Sequence, residues 1–460
     1  MARDSSGRSE RQRVPQPLIK RRVPSGRGAM EQPNVTHDGP AALSVRFWVA
    51  LVVASVLTGL FGQGLMWLLR GVERWAYGFR GGSYQAAVAA TSPTHRVLML
   101  VLSGVLGALG WYATRRYLAH QKSEIDDAVW NGSGTVHVRR SLATSIVSEV
   151  TIGLGASAGR EAAPKLMGGA VASVLSGRFG LTDAQRVLLV ACAGGAGLAA
   201  VYNVPLGGAF FTAEVMLGSF ALPVVLAALS SSFIATLTGW ITLSHAPTYS
   251  DVANFQYSAP LFVWSILAGL VIGLFATGNI RLLGWVSHRR PRGTQLLWVM
   301  PLAFTLVGVV GVWRPEIFGN GIDIAHQAFL GQGTLALLLF LAVLKPLTTA
   351  LTLGAGAAGG VFTPVLAMGA ALGGGLGAVW AHLWPGAPVG ACALVGAAAM
   401  IGASMQAPLA GLALVTELTH SGLGVMLPMI AATTIATLVV RTLDGYSIYT
   451  ARLPRHEGGL

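Results

Sequence analysis

The sequence predicts an all-α, polytopic membrane protein made of two related halves, and three observations carry that expectation. Composition is the first. Of 460 residues, 53% are apolar and only 11% charged, with 60 glycines and a mean hydropathy of +0.61. Soluble domains carry about 25% charged residues and about 7% glycine, so a soluble enzyme, a nucleic-acid binder and a disordered chain are all poor fits. The second observation is a series of apolar stretches of spanning length. The third is a set of glycine-proline interruptions that recur at one offset along the chain.

Taken in order, residues 1–40 hold eight basic and four acidic residues and no apolar segment of signal-peptide type. They read as a disordered basic tail on the cytoplasmic side, either touching anionic lipid or simply solvated. Apolar stretches follow at 43–69, 97–114, 184–202, 205–240, 259–286, 295–313, 333–358, 361–381, 390–416 and 422–440. A spanning helix needs about 20 such residues, and several of these are shorter or cut by Gly and Pro, at 153–159, 205–208, 354–360 and 408–411. Broken backbone at membrane depth survives only inside protein or beside a water-filled cavity. The net charge of +13 invites a nucleic-acid reading. Outside the tail, however, the basic residues gather in short clusters between apolar stretches, at Arg115, Arg116 and Lys122, at Arg289, Arg290 and Arg292, and at Arg441, Arg452 and Arg455. That pattern fits cytoplasmic loops. The two cysteines, Cys192 and Cys392, sit in apolar runs and read as small buried hydrophobes.

The interruptions match between the halves. Pro205-Leu206-Gly207-Gly208 leads to Glu214 nine residues after the proline, and Pro408-Leu409-Ala410-Gly411 leads to Glu417 at the same interval, an offset of 203 residues. Cys192 and Cys392 each stand in Ala-Cys-Ala, 200 apart, and Gly159-Arg160-Glu161-Ala162-Ala163-Pro164 meets Gly359-Gly360-Val361-Phe362-Thr363-Pro364 at the same offset. Paired broken helices in corresponding places are the sequence pointer to a transport site.

Acids are scarce, so those within the apolar region stand out: Glu149, Glu161, Glu214 and Glu417. A carboxylate held at membrane depth is a functional candidate by default. Glu161 leads them, because it lies on a stretch of small residues just before a new helix. A helix N-terminus in a low dielectric attracts an anion, and a carboxylate on that turn competes with a free anion for such a place. Protonation would release it. The alternative is a structural ion pair between Glu161 and Arg160. For Glu149, Glu214 and Glu417 the structural reading is preferred. In the second half, Gly360, Val361 and Phe362 offer backbone amides and an aromatic edge without charge, suited to holding a dehydrated anion without trapping it. No Walker-type phosphate loop and no metal-spaced His/Cys cluster occurs. The expectation is therefore no cofactor, no metal and no enzymatic activity.

Gly159-Arg160-Glu161, Gly360-Val361-Phe362-Thr363-Pro364, the run from Asn203 to Glu214, Gly319-Asn320-Gly321 and the late tyrosine in Ser447-Ile448-Tyr449-Thr450 together resemble the CLC family of chloride channels and anion/proton antiporters. The likeness runs over about 45–452. It implies a CLC-type fold of two inverted-topology repeats with broken, uneven helices: a transmembrane domain at 41–452, its repeats at about 41–240 and 259–442, and a short tail at 453–460. It implies a homodimer in the cell membrane with one anion pathway per subunit. Glu161 would be the gating glutamate, and Gly360, Val361, Phe362 and the Tyr449 hydroxyl the anion site. Chloride or another small anion would be the cargo, with protons as a second cargo if the chain is an antiporter. No soluble CBS domain is expected in the eight residues after Arg452.

Three departures qualify the resemblance. The proline after Glu161 stands one place late. Gly-Ser-Gly-Ile-Pro, whose serine touches the central anion in the family, is missing: Gly132-Ser133-Gly134 continues with Thr135-Val136, and the family spacer instead reaches 119–123, making His120 the inner-site candidate. Val215 stands where family antiporters often carry an inner proton-transfer glutamate, leaving Glu214 as a candidate for the proton path. Channel and antiporter both stay open. A secondary transporter of an organic solute and a membrane scaffold with a degenerate pore are the readings from other classes.

Overall fold

Residues 43–118 and 124–453 are described by a computed structural model. The basic tail expected at 1–40, the end of the chain beyond 453 and His120 lie outside the described residues. Those residues form helices, joined by one isolated β-bridge.

The first half runs through α1 (Val45–Tyr77), α2 (Tyr84–Ala89), α3 (Pro93–Tyr117), α4 (Ile125–Trp130), α5 (Val138–Gly153), α6 (Ala162–Arg178), α7 (Asp183–Tyr202), α8 (Pro205–Phe210) and α9 (Leu222–Gly239). The second runs through α10 (Ala259–His288), α11 (Leu296–Trp313), α12 (Ile322–Phe329), α13 (Leu335–Gly354), α14 (Phe362–Leu383), α15 (Val389–Met405), α16 (Pro408–Thr419) and α17 (Met426–Leu443). Nine helical segments among the described residues are long and apolar enough to cross a membrane. The apolar stretch at 205–240 divides into α8, a π-helical turn at Phe211–Met216 and α9, and that at 390–416 into α15 and α16. Asn203 (φ 58°) and Gln406 (φ 55°) turn left-handed, and a proline two residues later starts the next helix, where its missing N–H has no intrahelical role.

Packing repeats in the same order in both halves. α6 lies on α7 as α14 lies on α15, α1 on α9 as α10 on α17, and α5 on α6 as α13 on α14. Equivalent elements also meet each other: α3 packs on α11 and α8 on α16. Contacts between equivalents are what a local two-fold axis produces. α7 and α14 are the most buried of the long apolar helices, and α3, α11 and α17 the least. Lipid is as apolar as leucine, so close packing between backbones holds such an interior together. Gly373 and Gly396 face each other so closely that a Cβ on Gly373 would stand 2.8 Å from the Gly396 Cα.

Glu214 and Glu417 tie the halves reciprocally. Glu417 accepts hydrogen bonds from the Leu206 and Gly207 amides at the start of α8, at 2.9 and 2.6 Å. Glu214 accepts from the Leu409 and Ala410 amides at the start of α16, at 3.3 and 2.8 Å. Each carboxylate thus closes the open N-terminus left by the other half's proline break, where negative charge is also favoured by the helix dipole.

Substituting Glu417→Ala or Glu214→Ala removes two charge-assisted caps. The expected loss is on the order of 1–3 kcal/mol for each, read as a lower thermal unfolding midpoint in detergent. The reciprocal geometry predicts similar losses for the two variants, and an unchanged midpoint in either would overturn the capping role.

Candidate functional site

The two glycine-rich breaks meet at the centre of the molecule. α5 stops at Gly153 and α13 at Gly354, and each is followed two residues on by a left-handed glycine, Gly155 (φ 108°) and Gly356 (φ 100°). At Gly155 a Cβ would collide with Phe318 and Leu100. The two strands then pair antiparallel. Gly159 N–H donates to the Gly360 carbonyl and Gly360 N–H to the Gly159 carbonyl, both at 2.8 Å. This bridge brings the residue two places after Gly159, Glu161, against the residue two places after Gly360, Phe362.

Glu161 is the N-cap residue of α6, but its side chain does not cap that helix. The carboxylate crosses to the other half. Oε1 accepts from the Phe362 amide at 2.8 Å, at the first residue of α14. Oε2 stands 3.2 Å from the Thr363 hydroxyl and 3.4 Å from the Tyr202 hydroxyl. The two hydroxyls are 2.6 Å apart, so one donates to the other and the remaining hydroxyl proton goes to Oε2. The negative charge therefore rests at the positive end of a 22-residue helix, in a buried setting. Arg160 makes no ion pair with Glu161 among the described residues; it lies over the Tyr202 ring, 5.0 Å from its centroid.

A cavity of about 370 Å³ opens against this carboxylate. Gly360, Val361, Phe362 and Tyr449 line it together with Glu161, as do Asp126 and Lys165. Arg115, Arg290, Arg292 and Arg452 also line it. Burial and the neighbouring Arg452 pull the Arg290 guanidinium down to about 9, so it keeps its charge at neutral pH. A space walled by backbone amides and arginines is suited to anions.

The structure thus brings Glu161, Gly360, Val361, Phe362 and Tyr449 together around one space. Glu214 and Glu417 do not line it; their carboxylates serve α16 and α8. Glu149 is fully buried on α5, accepts no hydrogen bond among the described residues and does not reach the cavity either. Ser133 also stays out, its hydroxyl near the Ala128 carbonyl. Sequence reasoning missed Lys165, Asp126, Tyr202 and Thr363. Lys165 had left one signal: it follows Glu161 by four residues, the spacing that puts two side chains on one helix face. The arginines had been read as loop charges alone, and three separate clusters converge here.

Residues 104–441 match the family described as voltage gated chloride channel. The chain is 29% identical over 387 residues to the voltage-gated ClC-type chloride channel ClcB of Salmonella typhimurium, covering 82% of this chain and 91% of that protein. The ClcB of Salmonella typhi matches with the same identity and coverage. Among solved structures, a slow cyanobacterial Cl−/H+ antiporter superposes with a TM-score of 0.77 at 24% identity, over 89% of this chain and 97% of that one. A CLC-type fluoride/proton antiporter superposes with a TM-score of 0.70 at 21% identity, over 88% of this chain and 98% of that one. At those identities the two structures speak for the fold.

A Cβ placed on Gly360 would fall on the Glu161 carboxylate, and the backbone of Gly360 is not left-handed. Gly360→Ala is therefore expected to fold and to push Glu161 off the Phe362 amide. A structure of the variant in which that hydrogen bond persists would contradict this geometry.

Proposed function

The chain belongs to the CLC family of chloride channels and anion/proton antiporters, and on that premise we propose that it carries a small monovalent anion, chloride first, across the membrane along a path gated by Glu161. One observation carries the reading. The Glu161 carboxylate sits on the α14 N-terminus, at an amide that also borders the arginine-lined cavity. A carboxylate and a free anion cannot both accept from the Phe362 N–H. With Glu161 ionised, the carboxylate holds the place. Protonation removes its charge, and with it most of its attraction to the helix terminus. The side chain then yields on the turn at Gly159 and Arg160, and an anion takes the amide with the Tyr449 hydroxyl beside it.

The arginines at the cavity mouth raise the local anion concentration. They come from the basic clusters that the positive-inside rule assigns to the cytoplasmic face, so the cavity is the inner approach and the N-terminus is cytoplasmic. Two subunits in the cell membrane, one path in each, complete the reading. Glu214 is committed to the α16 amides and Val215 carries no proton, so in this reading Glu161 is the group that takes the proton at the gate.

Anion efflux from proteoliposomes tests the proposal. Flux is expected to rise as pH falls, because protonation frees the amide, and Glu161→Gln should give flux that no longer depends on pH. Purified protein that passes no chloride, bromide, nitrate or fluoride would sink the reading, and retained pH dependence in Glu161→Gln would remove Glu161 from the gate. Flux under an imposed pH gradient separates channel from antiporter: proton movement opposite to the anion marks the antiporter.

A further inference from the structure

Lys165 stands one helical turn beyond Glu161 on α6, nearly buried, on the wall of the same cavity. Its ammonium contacts both oxygens of Asp126, at 2.9 and 3.0 Å, just inside the start of α4. It also lies over the Tyr449 ring, 4.8 Å from the centroid, and 5.7 Å from that of Phe211. Asp126 and Tyr449 line the cavity with it. A lysine thus touches the tyrosine whose hydroxyl the functional reading assigns to the anion.

An ammonium carries three donors and no acceptor. Asp126 occupies two of them, so one N–H and the uncompensated part of the charge remain for the cavity. A cation over an aromatic face draws on its π electrons, which makes the Tyr449 hydroxyl a stronger donor. A full positive charge here would hold an anion tightly and stop it leaving. A neutral wall would not attract it. Conduction requires binding between those limits, and a lysine paired with an aspartate on one side only lies between them.

We propose that Lys165 is the fixed cation of the inner anion site and that Asp126 sets its strength, offsetting the ammonium charge from one side so that the bound anion can leave. This rests on the anion-transport reading and goes beyond it, since the gate at Glu161 could operate with any inner wall. A purely structural pair that ties α4 to α6 predicts something different: both single substitutions would lower stability and neither would alter affinity in a sign-dependent way.

The test is chloride binding by calorimetry to the full chain in detergent, with chloride efflux from proteoliposomes. Asp126→Asn leaves the ammonium uncompensated, and is expected to bind chloride roughly tenfold more tightly and to turn over more slowly. Lys165→Met leaves the carboxylate alone and is expected to bind roughly tenfold more weakly. The double variant Lys165→Met with Asp126→Asn leaves no unpaired charge; if Lys165→Met does not fold, the double variant carries the test and must bind more weakly than the wild type. Single variants that shift affinity in the same direction, or a double variant that binds as the wild type does, would overturn the role of Lys165. A wild type that binds no halide overturns the transport reading itself, and this inference with it.

Discussion

Backbone amides left open at membrane depth have to be satisfied by the protein, because hydrocarbon offers them no water, and in this chain each half satisfies the other's. The Gly159–Gly360 bridge does so at the centre, with two reciprocal hydrogen bonds of 2.8 Å. Glu417 and Glu214 do so at the starts of α8 and α16. Glu161 does so at the start of α14. The first three are reciprocal and close the structure. The last is not: the second half places Phe362 where the first places Ala162, and Gly360-Val361 where the first has Arg160-Glu161. On the proposed reading, that asymmetry makes one capped helix end the place that the gating carboxylate would leave.

Charge inside the molecule is distributed on the same logic. Lys345 is fully buried and donates to the Ile317 and Gly319 carbonyls at 2.9 and 2.7 Å, which fixes the loop before α12. Arg96 donates to four carbonyls, those of Val88, Ala89, Thr91 and Val312. These cations are consumed by backbone oxygens. Lys165, by contrast, is matched by a carboxylate and an aromatic ring on a cavity wall, and Glu161 by donors that an anion could use equally. What separates the structural charges from the working ones is therefore whether their partners are shared with the cavity.

Much of this was legible in the residues. Scarce acids in an apolar chain marked Glu161, and the repeated glycine-proline breaks marked Gly360, Val361 and Phe362. The equal nine-residue spacing from Pro205 to Glu214 and from Pro408 to Glu417 announced a shared role. It did not announce the partners, because each carboxylate reaches about 200 residues along the chain to the opposite half. Lys165 went unnoticed for a related reason. A lysine one turn past a conspicuous glutamate looks like its companion, and only the packing of α4 against α6 shows that it faces Asp126 and Tyr449 instead.

The sequence by itself determined the membrane setting, the duplication, the places where helices must stop and the family resemblance, because all of these follow from local composition and spacing. Tertiary structure alone decided which side chain answers which open amide. It placed the Glu161 carboxylate on the helix of the other half, turned Glu214 and Glu417 into mutual caps, and drew arginines from three separate clusters to one cavity. The physical reason is that hydrogen bonds and charge pairs act over a few ångströms in space, and a two-fold packing of repeats brings together residues that stand 195 to 211 positions apart in the chain.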